Sequence, residues 1–312
     1  MNLELWTMNC KHSLLAIIAT IMLASCSHKQ EATQFEADST GIDSTALRIA
    51  VMPAMNCLPV YYAEKTGLAD SLGLGIRLLR YQAQMDIDTA IVIGHVDIAY
   101  TDLIRCTRLS KQVALTPFAS CDEALSLISL KTKRVKQINQ MKEQMIAVSR
   151  LSATDYWTDR LLDSTRTSYD DIYRPQVNDV WLRAEMLRQG LIDAAIMGEP
   201  YATWMTMLGH KRLFQSKGKQ PRLYAWAARS SASEQQKKAF LDLLKEATDR
   251  MSKESEAELL RDILKQDYAL PADIADSLKL PLPQSPSDIS QSDVEEAEKW
   301  LKRKYDNKKR RK

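Results

Sequence analysis

The chain has 312 residues, 45% hydrophobic and 27% charged, enough for a sizeable core in about two domains. These proportions exclude a disordered or collagen-like chain. The net charge of +3 is uneven: residues 299–312 carry nine Lys or Arg and one Asp, a net of +8, so residues 1–298 are mildly acidic at −5. A terminal block of like charge reads first as a solvated, frayed end, and no nucleic-acid partner is expected of an acidic body.

At the N-terminus, Lys11 and His12 precede an apolar run from Ser13 to Ser25, followed by Cys26. A spanning helix needs about 20 apolar residues, so this run reads as a signal-peptide core. Leu23-Ala24-Ser25-Cys26 resembles the bacterial lipobox, which implies acylation of Cys26 and a lipid-membrane anchor. Met8 is an alternative start. Residues 27–46, rich in Ser, Thr, Glu and Gln, read as a flexible tether. Cys57, Cys106 and Cys121 remain, an odd number that reads as buried free thiols, with one disulfide left open.

"LRIAVMP" (Leu47 to Pro53) reads as a buried strand, and "CLPVYYAEKTGL" as a helix with Pro59 in its first turn and Gly67 past its end. "GIRLLRY" is a strand, "AQMDIDTAIVIG" a helix closed by Gly94, and "VDIAY" a strand; "VALTPFAS" and "ALSLISL" follow as two more. The β-α-β-α-β order predicts an open parallel or mixed sheet with helices on both faces. Downstream, "QMIAVSR" is a strand, "SATDYWTDRLLDS" a helix capped by Ser152 or Thr154, "NDVWLRAEMLRQG" a helix ended by Gly190, and "IDAAIMG" a strand. A helix with Pro200 at its first position, the strand "RLYAWAARS" and two amphipathic helices follow. A Pro-rich stretch and a basic helix close the chain.

Two phrases recur. Ile49-Ala50-Val51 returns as Ile146-Ala147-Val148, and Gly94-x-Val96-Asp97-x-Ala99 returns as Gly190-x-Ile192-Asp193-x-Ala195, at offsets of 97 and 96 residues. Matching offsets point to two similar lobes, with the Gly ending a helix in the left-handed conformation and the Asp opening a strand. Ligands of open α/β sheets bind beyond the carboxyl ends of the strands.

Leu58-Pro59-Val60, Ala63, Gly67-Leu68, Gly75-Ile76, the Gly94 to Ala99 phrase and "GLIDAAIMGEPYATWM" together resemble extracytoplasmic solute-binding proteins of ABC importers. The closest branch is the sulfonate/nitrate/taurine-binding and thiamine-pyrimidine-synthase-like group. The resemblance covers residues 47–250. The chain departs from many members in having Pro53-Ala54-Met55-Asn56 where a Gly-rich or Ser-Ser loop is common.

The fold so implied is the α/β, two-lobed type II periplasmic binding fold, each lobe an open mixed sheet flanked by helices, with a cleft between them. The expected division is a signal peptide at 1–26, tether 27–46, first lobe 47–132 plus 222–283, second lobe 133–221, and a C-terminal helix with basic tail at 284–312. The implied function is capture of a small organic solute, delivered to an ABC permease with its ATPase, by a monomer anchored in the bacterial envelope and facing the periplasm. Alternatives on the same fold are a sensor for a signalling receptor, or an enzyme of pyrimidine or menaquinone-precursor synthesis.

Four loops would face the cleft. They contribute Pro53, Ala54, Met55 and Asn56; Tyr100, Thr101 and Asp102; Arg150, Ser152, Ala153 and Thr154; and Glu199 and Tyr201. The helix start after Arg150 either favours an anion or is a plain cap. Asp102 and Glu199 either receive an amine or cap helices. Together they fit a zwitterion or an amino-bearing heterocycle. Trp157 and Trp204 either stack on a ligand ring or, as the first reading, pack in the core. His12, His28, His95 and His210 lack metal-ligand spacing, and neither a Gly-x-Ser-x-Gly elbow nor a Walker motif occurs. No metal, cofactor or catalysis is expected.

Overall fold

The computed structural model describes residues 46–279 and 282–310. The signal peptide, Cys26 and nearly all of the tether lie outside these residues. Among the described residues, no helix is long and apolar enough to cross a membrane.

The first lobe opens with β1 (Leu47–Val51), α1 (Leu58–Lys65), the short α2 (Leu68–Ser71), β2 (Ile76–Arg80), α3 (Gln84–Ile93), β3 (Ile98–Asp102), α4 (Leu103–Leu109) and β4 (Leu115–Cys121). The second contains β5 (Ser126–Ser129), β6 (Ile146–Ala147), α5 (Ala153–Thr165), α6 (Val180–Arg188), β7 (Ala194–Met197), α7 (Tyr201–Met207) and β8 (Lys211–Gln215). The chain then returns through β9 (Tyr224–Arg229), α8 (Glu234–Met251), α9 (Ala257–Gln266), α10 (Ala272–Ser277) and α11 (Gln291–Arg310).

The strands form two mixed sheets, ordered β2-β1-β3-β9-β4 and β6-β7-β5-β8. In the first, β1 runs parallel to β2 and β3 while β9 is antiparallel to β3 and β4. In the second, β6 is parallel to β7, and β5 is antiparallel to both β7 and β8. The chain therefore enters the second sheet at Ser126, earlier than the boundary expected at residue 132. The run 126–129 is apolar enough to be buried in either sheet; its partners β7 and β8 decide the matter. The two crossovers are residues 122–125 and 216–223.

The repeated phrase does the same job twice. Gly94 (φ 80°) and Gly190 (φ 74°) both turn in the left-handed region, where a side chain would be strained. Asp97 then accepts the backbone N–H of Arg48 at 3.0 Å, and Asp193 that of Met145 at 2.7 Å. In return the N–H of Asp97 donates to the Arg48 carbonyl and that of Asp193 to the Met145 carbonyl. Each carboxylate also holds a cation, Arg48 at 2.7 Å or Lys133 at 2.7 Å. The Asp thus fastens the start of its strand to the neighbouring one.

The C-terminal helix is not a frayed end over its apolar stretch. Ala297, Trp300 and Leu301 are buried in one cluster with Leu103 and Ile104 of α4, Leu223 at the end of the second crossover, Ala225 of β9, and Tyr156 and Trp157 of α5. It is preceded by Ser287, which exchanges two backbone hydrogen bonds with Ser120 on the edge of the first sheet. Cys57, Cys106 and Cys121 are buried free thiols.

Candidate functional site

The carboxyl ends of β1 and β3 meet the second lobe along a seam, and a residue from the first crossover sits in it. Asn56, in the turn Met55–Cys57 after β1, donates from Nδ2 to Glu123 Oε2 at 2.7 Å. The Tyr100 hydroxyl, on β3, donates to the same oxygen at 3.0 Å. Burial pushes the Glu123 carboxyl up to about 7, although these two donors pull it down; the neighbouring Glu199 adds to the rise. Across the seam, a Cβ on Gly198 would collide with Glu123 Oε1 and lie 3.3 Å from its Cδ. Glycine is what lets the second lobe come this close.

The tyrosine that donates to Glu123 is itself packed among aromatic rings. Tyr100 stacks on Tyr224 with centroids 5.5 Å apart and 14° between planes, and Trp226 tilts against Tyr100 at 5.4 Å. Trp226 is fully buried, and its indole N–H has no acceptor among the described residues. Thr101 is fully buried beside Gln84, whose Nε2 reaches its hydroxyl at 3.4 Å.

A second carboxylate crosses the seam. Asp102 caps α4, accepting the Arg105 N–H at 3.0 Å, and also accepts the backbone N–H of Ala153 at the start of α5. Burial raises its carboxyl to about 6, against the pull of Arg105 and these two N–H groups. The helix start that reads in the sequence as a seat for a ligand anion therefore already faces a carboxylate of the other lobe. Ser152 and Thr154 finish the local cap: Ser152 Oγ accepts from the Thr154 N–H at 3.2 Å, and Thr154 Oγ1 accepts from the Ser149 N–H at 2.9 Å.

Residues 54–257, about two thirds of the chain, match the NMT1/THI5-like family. The chain belongs to the NMT1/THI5-like family. No curated protein gives a significant match. Solved structures with the same fold include the periplasmic aliphatic sulphonate binding protein SsuA from Escherichia coli, with TM-score 0.69, 17% identity, and coverage of 84% of this chain and 92% of that one. The periplasmic nitrate-binding protein NrtA from Synechocystis PCC 6803 gives 0.65 at 13% identity, covering 80% and 74%. PhnD1 from Prochlorococcus marinus (MIT 9301), in complex with methylphosphonate, gives 0.57 at 12% identity, covering 84% and 98%. The architecture is that of the periplasmic binding proteins.

Other expected residues of this NMT1/THI5-like chain lie at or beyond the edge of the seam. Pro53, Ala54 and Met55 are buried. The Ala54 carbonyl accepts from the Tyr268 hydroxyl at 2.7 Å, and the Tyr268 carbonyl from the Tyr201 hydroxyl at 2.8 Å, a relay joining the two lobes. Glu199 is occupied by the Thr203 N–H at 2.9 Å and by Arg212 at 2.9 Å, so its carboxylate serves α7. Arg150 is exposed and donates to the Arg174 carbonyl at 3.1 Å, outside the cluster around Glu123. Trp157 and Trp204 are core.

Two residues escape sequence reasoning. Glu123 lies in "CDEAL", with no cue separating it from any acidic loop. Arg183 occupies a helix that reads as ordinary, yet it is 2% exposed and forms no ion pair among the described residues. Its guanidinium donates to the carbonyls of Val177 at 2.9 Å and Ile196 at 2.7 Å, and burial pushes its pKa down to about 10. Among the described residues, no group of His, Cys, Asp and Glu could hold a metal ion.

Proposed function

We propose that the protein is a non-enzymatic solute-binding protein. It captures a small organic solute between its lobes and delivers it to an ABC permease whose partner ATPase supplies the energy. Proteins of this fold that bind sulphonate, nitrate and methylphosphonate support the class of function. In the same reading the chain is exported, acylated at Cys26, held as a monomer on a membrane, and faces the periplasm; the short apolar run before Cys26 supports this.

One observation carries the ligand class. The central polar group of the seam is Glu123, a carboxylate held by the neutral donors Asn56 and Tyr100, and the α5 start is met by Asp102. A half-buried carboxylate with no cationic partner among the described residues favours a ligand that brings an amine or other donor. The solute is accordingly amine-bearing, a zwitterion such as an aminosulfonate or an amino-substituted heterocycle. It replaces the Asn56 and Tyr100 bonds to Glu123, and the hinged lobes close around it.

The test is a thermal-shift panel on residues 27–312, followed by calorimetric titration. A ligand that binds only the folded state raises the melting temperature with its concentration. Taurine or an aminopyrimidine is expected to stabilise the protein, and the corresponding unaminated sulfonate to do so far less. A panel in which only simple dianions bind would overturn the ligand class, and one with no ligand would overturn the function.

A further inference from the structure

Away from Glu123, the second lobe, α3, α4 and α11 enclose a groove of about 1060 Å³, at the upper end of the size of small-molecule sites. None of the residues lining the groove is Asn56, Tyr100, Glu123 or Gly198, and contacts between the lobes run along its edge. Asn178 Nδ2 donates to Met85 Sδ at 2.7 Å, and Ala83 and Asp179 form an antiparallel bridge. We propose that this groove is a second binding site, selective for an organic anion with a flat apolar body.

Its charge is unbalanced. Six Lys or Arg side chains line it against three Asp. Arg174 and Lys304 pair with Asp155 and Asp159, and Arg105 and Arg108 share Asp88. Arg150 forms no ion pair among the described residues, and Arg303 comes no nearer to a carboxylate than Glu296 at 3.9 Å. Neither guanidinium is neutralised at close range, although Arg150 gives one N–H to the Arg174 carbonyl, and their remaining N–H groups suit planar contact with an oxyanion.

Unsatisfied buried groups point the same way. Arg105 is 1% exposed, and its Nε has no hydrogen-bond acceptor among the described residues, Asp102 standing 3.5 Å away. Among the described residues, Arg174 Nη2 also lacks a partner, and so does Asp88 Oδ1 on a side chain that is 7% exposed. Buried polar groups are seldom left unpaired without a reason. The donors fit the anionic end of a ligand, and Asp88 Oδ1 fits a hydroxyl or amide on its body. The walls supply the apolar contact: Tyr169 and Tyr305 are each 37% exposed, and Met85 45%.

The experiment is calorimetric titration of the full chain in detergent with phenyl phosphate, beside benzyl alcohol and inorganic phosphate. Phenyl phosphate is expected to bind more tightly than either. Arg150→Ala and Arg303→Ala should each weaken it roughly tenfold, about the loss of one charge-assisted hydrogen bond. Glu123→Gln should leave it unchanged, which separates this groove from the seam. Arg150 and Arg303 lie at the surface, so melting curves of both variants are expected to overlay the wild type. The proposal is overturned if phenyl phosphate does not bind, if inorganic phosphate binds as tightly, or if Glu123→Gln rather than the arginine variants abolishes binding.

Discussion

Glu123 makes the seam sensitive to pH. Its carboxyl titrates at about 7 in the folded chain against an ordinary 4.5. Between those values the folded protein holds a proton that the unfolded chain has released. Stability from this group is therefore greatest at low pH, falls as pH rises through that window, and stays low above it. Asp102, raised to about 6 from 3.8, acts in the same direction over a narrower range. Calorimetric melting from about pH 5 to about pH 8 should show the wild type losing more stability than Glu123→Gln, whose amide has no such proton to lose; parallel curves would refute this. Gly198→Ala bears on the same contact from the other side. The added methyl displaces the carboxylate from Asn56 and Tyr100, so solute affinity should fall roughly tenfold or more while the fold survives. Titration with the solute found in the panel measures this, and unchanged affinity would remove Glu123 from the site.

At the scale of elements, the paired corners at Asp97 and Asp193 allow an internal comparison. Asp193 accepts one backbone N–H and pairs with Lys133, whereas Asp97 accepts the Arg48 N–H, pairs with its guanidinium, and receives the Ser231 hydroxyl at 2.6 Å. Asp193→Ala should cost about 1–3 kcal/mol in urea unfolding, the price of a partly buried donor left unmet, and Asp97→Ala more. These corners were legible because their signal is local: a Gly that must turn left-handed, then an Asp where a strand begins. The membership of β5 was not legible, because an apolar run of four residues states that it is buried and not which strands flank it. The site divided the same way. Asn56 follows β1, and Tyr100 and Asp102 lie in the last half of β3, so all three could be named from the sheet order. Glu123 could not, since its place depends on how the first crossover is threaded. Arg150 and Glu199 have suitable chemistry, but Arg174 and the start of α7 engage them first.

Across the whole molecule, α11 ties the lobes together. It packs on α4, Trp300 donates to Asp159 at 2.9 Å, and Lys304 reaches Asp155 and Asp159 at 3.1 and 2.9 Å. Trp300→Ala removes a buried aromatic and leaves Asp159 short of a donor, so a loss of about 3–5 kcal/mol is expected in denaturant unfolding. A loss under about 1 kcal/mol would mean that the helix is an appendage and not a brace.

The strand order also bears on how the polypeptide is completed as it emerges from synthesis. Within its sheet β4 pairs only with β9, and the entire second sheet lies between them in the chain. The later-made module can therefore finish first, while β4 waits as an unmatched edge for a partner roughly a hundred residues downstream, an interval of about 5–20 seconds at ordinary elongation rates. Such an edge invites pairing with other chains, so a chaperone that shields β4 during that wait would raise the yield of native protein more than one acting on the finished chain.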